Sequence, residues 1–128
     1  MIDSQVMRSV FLIIGPIVCA LAVLAGAFGA HGLRSRLDPR GLELWETSAR
    51  YLMYGGLGLT LIGLADTQWP RPGFSWAGWT LLVGALIFCD TVSWLALGGP
   101  RWLGAVTPLG GVLMVAGFLL FAWTALRL

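Results

Sequence analysis

Apolar residues gather into four long runs, at about 10–30, 51–65, 75–97 and 108–126, separated by short polar or proline-rich connections. A helix needs about 20 predominantly apolar residues to cross a hydrocarbon core of about 30 Å, so the pattern predicts an all-α integral membrane four-helix bundle. Residues 1–128 form one transmembrane domain, since almost every residue belongs to a run or to a connection. The second run is shorter and is preceded by DPRGLELWETSARY. There Asp38 is placed as N-cap and Pro39 at the first helical position, and Leu42, Trp45, Ala49 and Leu52 share one face. This predicts an amphipathic lead-in helix from about residue 39 that continues into the second span. Glu46 and Arg50, four residues apart in the favourable order, are expected to form an interfacial pair. Thr107 and Pro108 are read as N-cap and first residue of the last span.

The end of the first run, AGAFGAHGLRSRL at 25–37, admits three readings. Arg8 and the apolar run after it resemble a secretory signal, but cleavage after Ala27 or Ala30 would leave only three spans. A phosphate-binding loop requires a preceding strand and a lysine with a hydroxyl neighbour, which GAFGAHG lacks. The third reading is a packed helix end. Ala22, Gly26 and Ala30 recur every four residues, the small-xxx-small spacing that lets two helix backbones approach in lipid. Gly110 and Gly111 are expected to serve the same purpose in the fourth span.

Composition strengthens the membrane reading. The chain is 58% hydrophobic and 11% charged, with a mean hydropathy of +0.84, too apolar for a soluble domain of this length. Its eight basic residues, all arginine, are scattered, which excludes the basic stripe that nucleic-acid binding demands. Cys19 and Cys89 lie within apolar runs and outside any CxxC pair, which predicts no disulfide and no zinc. Trp69, Phe74, Trp76 and Trp79 are expected at one interface, and Trp45, Tyr51, Tyr54, Trp94 and Trp102 at the other. Arg34, Arg36, Arg40, Arg50 and Arg101 fall on one side, Arg8, Arg71 and Arg127 on the other. The positive-inside rule therefore places both termini on the non-cytoplasmic side, in a bacterial inner membrane.

Candidate chemistry is sparse. Asp90 lies inside the third run, where an aspartate costs about 2.5 to 3.5 kcal/mol on insertion scales. It is expected to face the bundle, and connectivity brings His31 and Arg50 toward the same side. An intramembrane cluster of His31, Arg50 and Asp90 is thus expected, either as a structural polar plug or as a proton or ion site, with Thr91 and Ser93 adding hydrogen bonds. The cofactor is unknown and none is required. Ala27, four residues before His31, resembles the Ala-xxx-His pattern of antenna pigment sites, leaving a chlorin or haem on His31 as an alternative. With a single histidine, and without GxSxG, HExxH or paired carboxylates in one span, no enzyme is expected.

GAFGAHGLRSRL, WETSARYLMYGGLGL and LGGPRWLGAVTPLGG, in that order, resemble the DUF423 family of small four-span membrane proteins, the transmembrane-protein-256-like group, from about residue 10 to 127. The resemblance implies an uncharacterised integral membrane protein with no established activity, cofactor or catalytic residue. It also implies a histidine where this chain has Gly55, and small or hydroxyl residues where it has Cys89, Asp90 and Thr91. The expected role is that of a packing or accessory subunit of a larger membrane complex, photosynthetic or respiratory, whose partners are the lipid bilayer and other membrane subunits or further copies. The alternative is a small channel or transporter with a polar path at Asp90.

Overall fold

The computed structural model describes the backbone from Ser4 and side chains from Val10 to the C-terminus. Among the described residues it holds four helices and no strand: α1 (Ser4–His31), α2 (Pro39–Gln68), α3 (Pro72–Ala96) and α4 (Leu103–Leu126). Three segments, Val10–His31, Pro72–Ala96 and Leu103–Leu126, are long and apolar enough to cross a membrane. Of the four expected spans, three meet this measure of length and apolarity. The helix that falls short is α2, whose apolar character is diluted by Arg40, Glu43, Glu46, Arg50, Asp66 and five glycines.

The expected start of α2 is present in atomic detail. The Asp38 carboxylate accepts a hydrogen bond from the Gly41 amide at 2.7 Å, and Pro39 opens the helix. Lead-in segment and second apolar run are one continuous helix. At the far end of α3, Gly98 adopts a positive φ of 93°. Its amide bonds the Leu95 carbonyl at 3.1 Å while the Gly99 amide reaches back to Trp94 at 2.7 Å, the paired closure that satisfies the last carbonyls of a helix. The fourth helix begins at Leu103 and not at Pro108. Its first turn is built earlier, as the Leu103, Gly104 and Ala105 amides bond Pro100, Arg101 and Trp102. Pro108 then sits inside the helix. Thr107, expected as a cap, turns its hydroxyl instead to the Leu103 carbonyl at 3.0 Å and to Thr91 at 2.7 Å.

The helices pack antiparallel in chain order, α1 on α2, α2 on α3 and α3 on α4, while α1 and α4 form no seam among the described residues. Small residues set each seam. A Cβ on Gly56 would lie 2.8 Å from the Cys19 amide and one on Gly63 2.7 Å from the Leu12 amide, while one on Gly15 would meet the Thr60 amide at 2.6 Å. Across the last seam, a Cβ on Gly84 would meet the Met114 amide at 2.6 Å and one on Gly117 the Leu81 Cα at 2.8 Å. These positions recur every seven residues: Gly15, Ala22 and Gly29 on α1; Ala49, Gly56 and Gly63 on α2; Ala77, Gly84 and Thr91 on α3; Gly110, Gly117 and Thr124 on α4. Seven-residue spacing keeps one line of a helix against its neighbour, as in left-handed bundles. Around the seams Phe11, Leu59, Ile62, Phe74 and Leu81 fill the core, each at most 1% exposed. Phe74, expected at an interface, belongs to this core, where its ring meets Phe121 edge-on.

Introducing a side chain against a neighbouring backbone forces the seam apart. Gly84→Val is expected to destabilise the protein by about 1–3 kcal/mol. Gly111→Ala, whose Cβ would make only ordinary contacts at 3.7 Å or more, should change stability by less than about 0.5 kcal/mol. Thermal unfolding of both variants in the same detergent checks the contrast.

Candidate functional site: the cleft between the first two helices

The glycine-rich end of α1 and the lead-in half of α2 enclose an open cleft of about 250 Å³, lined by Gly26, Gly29, Ala30, Arg34, Leu42, Trp45 and Glu46. Its back wall is fixed by Trp45. The indole Nε1 donates to the Ala25 carbonyl at 2.8 Å, and the ring stacks at a tilt on Phe28 with centroids 6.2 Å apart. Gly29 makes this possible, since a Cβ there would strike the indole at 2.5 Å. A Cβ on Gly26 would meet no atom within 4 Å, because that position looks into the cleft.

The expected line Ala22, Gly26 and Ala30 is therefore not the packed line. Ala22 is buried, Gly26 half-buried and Ala30 exposed. A four-residue step drifts around the helix away from the neighbour, whereas the seven-residue step from Gly15 through Ala22 to Gly29 stays on it. Gly26 and Ala30 leave the seam and become one wall of the opening. Gly110 does pack on the Phe88 backbone, with Gly111 beside that ring.

His31, Arg50 and Asp90 all lie on exposed surface, and no hydrogen bond or ion pair joins them among the described residues. Asp90 faces outward because it shares a helical stripe with exposed Trp76, Trp79, Val83, Leu86 and Trp94, each three or four residues from the next. Ala27 and His31 share the outer side of α1, and Glu46 and Arg50 are both exposed without an ion pair between them among the described residues.

The polar groups that do join helices are hydroxyls. Ser48 donates to the Cys89 carbonyl at 2.9 Å and pairs with Ser93 at 2.7 Å, tying α2 to α3. Thr91 and Thr107 tie α3 to α4 in the same way. Ser48 was not legible as a tie, although its seven-residue offset from Gly55 was a usable signal. Gly55, where the resemblance places a histidine, is closed off: a Cβ would lie 2.9 Å from that of Ala85. A further carboxylate within the helices, Asp66, is 3% exposed, with the Arg71 amide 3.4 Å from its Oδ1. No group of three histidine, cysteine or acidic side chains comes together among the described residues.

Trp45→Phe keeps the ring and removes the Nε1 donor. It is expected to cost about 0.5–1.5 kcal/mol and to raise hydrogen exchange of residues 39–46, read by mass spectrometry. Ser48→Ala should cost less, about 0.6 kcal/mol, the average for interhelical hydrogen bonds in a membrane.

Residues 25–111, which hold both walls of the cleft and the whole of α2 and α3, match the family described as "Protein of unknown function (DUF423)". A UPF0382 membrane protein of Staphylococcus epidermidis is 42% identical over 118 residues, covering 92% of this chain and 96% of that protein. Another from Staphylococcus haemolyticus is 42% identical over 110 residues, covering 86% and 89%. One from Staphylococcus aureus is 38% identical over the same length and shares. No solved structure matches. The chain is an integral membrane protein that belongs to the DUF423 family.

Proposed function

We propose that this protein is a non-enzymatic packing or accessory subunit of a larger assembly in the bacterial cytoplasmic membrane. One observation carries the proposal: Asp90 sits on the outer stripe of α3, six residues from the helix end at Ala96, hence about 9 Å inside it at 1.5 Å per residue. A carboxylate at that depth calls for a donor, and no donor from within the chain reaches it among the described residues. A neighbouring subunit is the natural source. The stripe around Asp90 is suited to a helix: Trp76, Val83, Asp90 and Leu97 are spaced by seven, with Trp79 and Leu86 between them, the layout in which one polar position fixes register between helices.

The channel alternative has less support. A path through a single copy would have to pass Phe11, Leu59, Ile62, Phe74 and Leu81, which leave the core filled, and seams at which backbones touch. For topology, α2 lies between α1 and α3 over its length, so it crosses with them despite its lower hydropathy. Both termini then share one side, the non-cytoplasmic one by the arginine distribution.

Asp90→Leu distinguishes these readings. If Asp90 meets a neighbouring subunit, native mass spectrometry of material extracted in mild detergent from its own host shows a larger complex that the variant loses, while the isolated chain melts no lower than before. Complexes of unchanged composition in the variant would refute the proposal. Proton flux in proteoliposomes that the variant abolishes would replace it with the channel. Reporter fusions at both ends check topology. Activity of a periplasm-dependent reporter is expected at Leu128 and at the N-terminus alike, and opposite sides would mean that α2 does not cross.

A further inference from the structure

The cleft between α1 and α2 has the properties of a headgroup site. It lies where a membrane-spanning helix ends, since α1 stops at His31 and Arg34 follows in the connecting turn. Its floor and walls are apolar or small: Gly26, Gly29, Ala30, Leu42 and Trp45. Its rim carries one cation, Arg34, and one anion, Glu46. These two face the same opening without forming an ion pair among the described residues. The indole N–H of Trp45 is already committed to Ala25, so charge recognition falls to Arg34 and Glu46. A guanidinium favours phosphate, to which it donates two parallel bonds. A carboxylate favours an ammonium that donates hydrogen bonds.

We propose that the cleft binds a zwitterionic aminophospholipid, with the phosphate at Arg34, the primary ammonium at Glu46 and the acyl chains leaving along the exposed outer face of α1. The opposite rim charges select this class. A phosphatidylglycerol headgroup satisfies Arg34 and leaves Glu46 facing an anionic ligand. A phosphatidylcholine headgroup brings a quaternary ammonium with no hydrogen to donate. A volume of about 250 Å³ suits a headgroup and glycerol, with the chains outside in the bilayer. The glycines then have distinct tasks: Gly29 seats Trp45 as the wall, and Gly26 keeps the space before it empty.

The test uses the full chain in detergent micelles with equal amounts of synthetic phosphatidylethanolamine, phosphatidylcholine and phosphatidylglycerol, and bound lipid read by native mass spectrometry. The wild-type protein is expected to retain phosphatidylethanolamine about tenfold over the other two, the factor that one charge-assisted hydrogen bond supplies. Glu46→Gln should abolish that preference while total lipid binding persists. Arg34→Gln should weaken binding of all three. Gly26→Leu should reduce phosphatidylethanolamine retention to the level of the other lipids by filling the cleft. Because a Cβ at Gly26 meets nothing within 4 Å, and leucine favours helix over glycine, this variant should melt at or above the wild-type temperature. Equal retention of the three lipids by the wild type, or undiminished preference in a folded Gly26→Leu protein, would overturn the proposal.

Discussion

Close approach of backbones at seven-residue intervals is the constraint on which everything else in this molecule rests. Lipid tails are as apolar as leucine, so burial against a neighbour gains little over burial in the bilayer, and association depends on contact distance and on polar ties between helices. Gly15, Gly56, Gly63, Gly84, Gly110 and Gly117 each leave a gap that another helix's backbone or side chain enters. The hydroxyl ties of Ser48 with Ser93 and of Thr91 with Thr107 become possible at the distances these gaps allow. The same glycines that bring α2 so close to both neighbours lower its hydropathy. Its central place in the fold rests on these glycines, while its weakness as an apolar segment comes also from Arg40, Glu43, Glu46, Arg50 and Asp66.

Helix content, the Asp38 cap and the continuity of the lead-in segment into α2 could be read from sequence because each depends on residues within a turn or two. The seams were harder. On α1, Ala22 belongs both to a four-residue line through Gly26 and Ala30 and to a seven-residue line through Gly15 and Gly29, and composition alone does not rank them. Contact with α2 does, by placing Trp45 on Gly29 and leaving Gly26 open. A stretch that looked like packing surface became half packing surface and half cavity wall.

Asp90 teaches a different point. Insertion cost predicts that a buried carboxylate needs a partner, and an inward orientation follows from that cost alone. The phase of α3 was the better guide, since Ala77, Gly78, Leu81, Gly84, Ala85 and Val92 mark the inner face and Asp90 falls on the opposite stripe with the exposed tryptophans. Phe74 departs from expectation for the converse reason. Its aromatic character suggested an interface, while its position on the inner face and its contact with Phe121 put it in the core. For α4, the proline signal pointed to a helix start at 108, but turns closing on Pro100, Arg101 and Trp102 begin it earlier and carry it through the proline.

Packing in strict chain order has a consequence for biogenesis. Every major seam joins a helix to the one made just before it, and none must wait for a distant part of the chain. Few long loops have to close before contacts form, the condition under which chains fold fast. Each hairpin can dock as it leaves the insertion machinery, α2 against α1 and α3 against α2, before α4 has been synthesised. The flanks of α1 and α4 remain open at the end of that process, so a row built this way grows by addition at its edges.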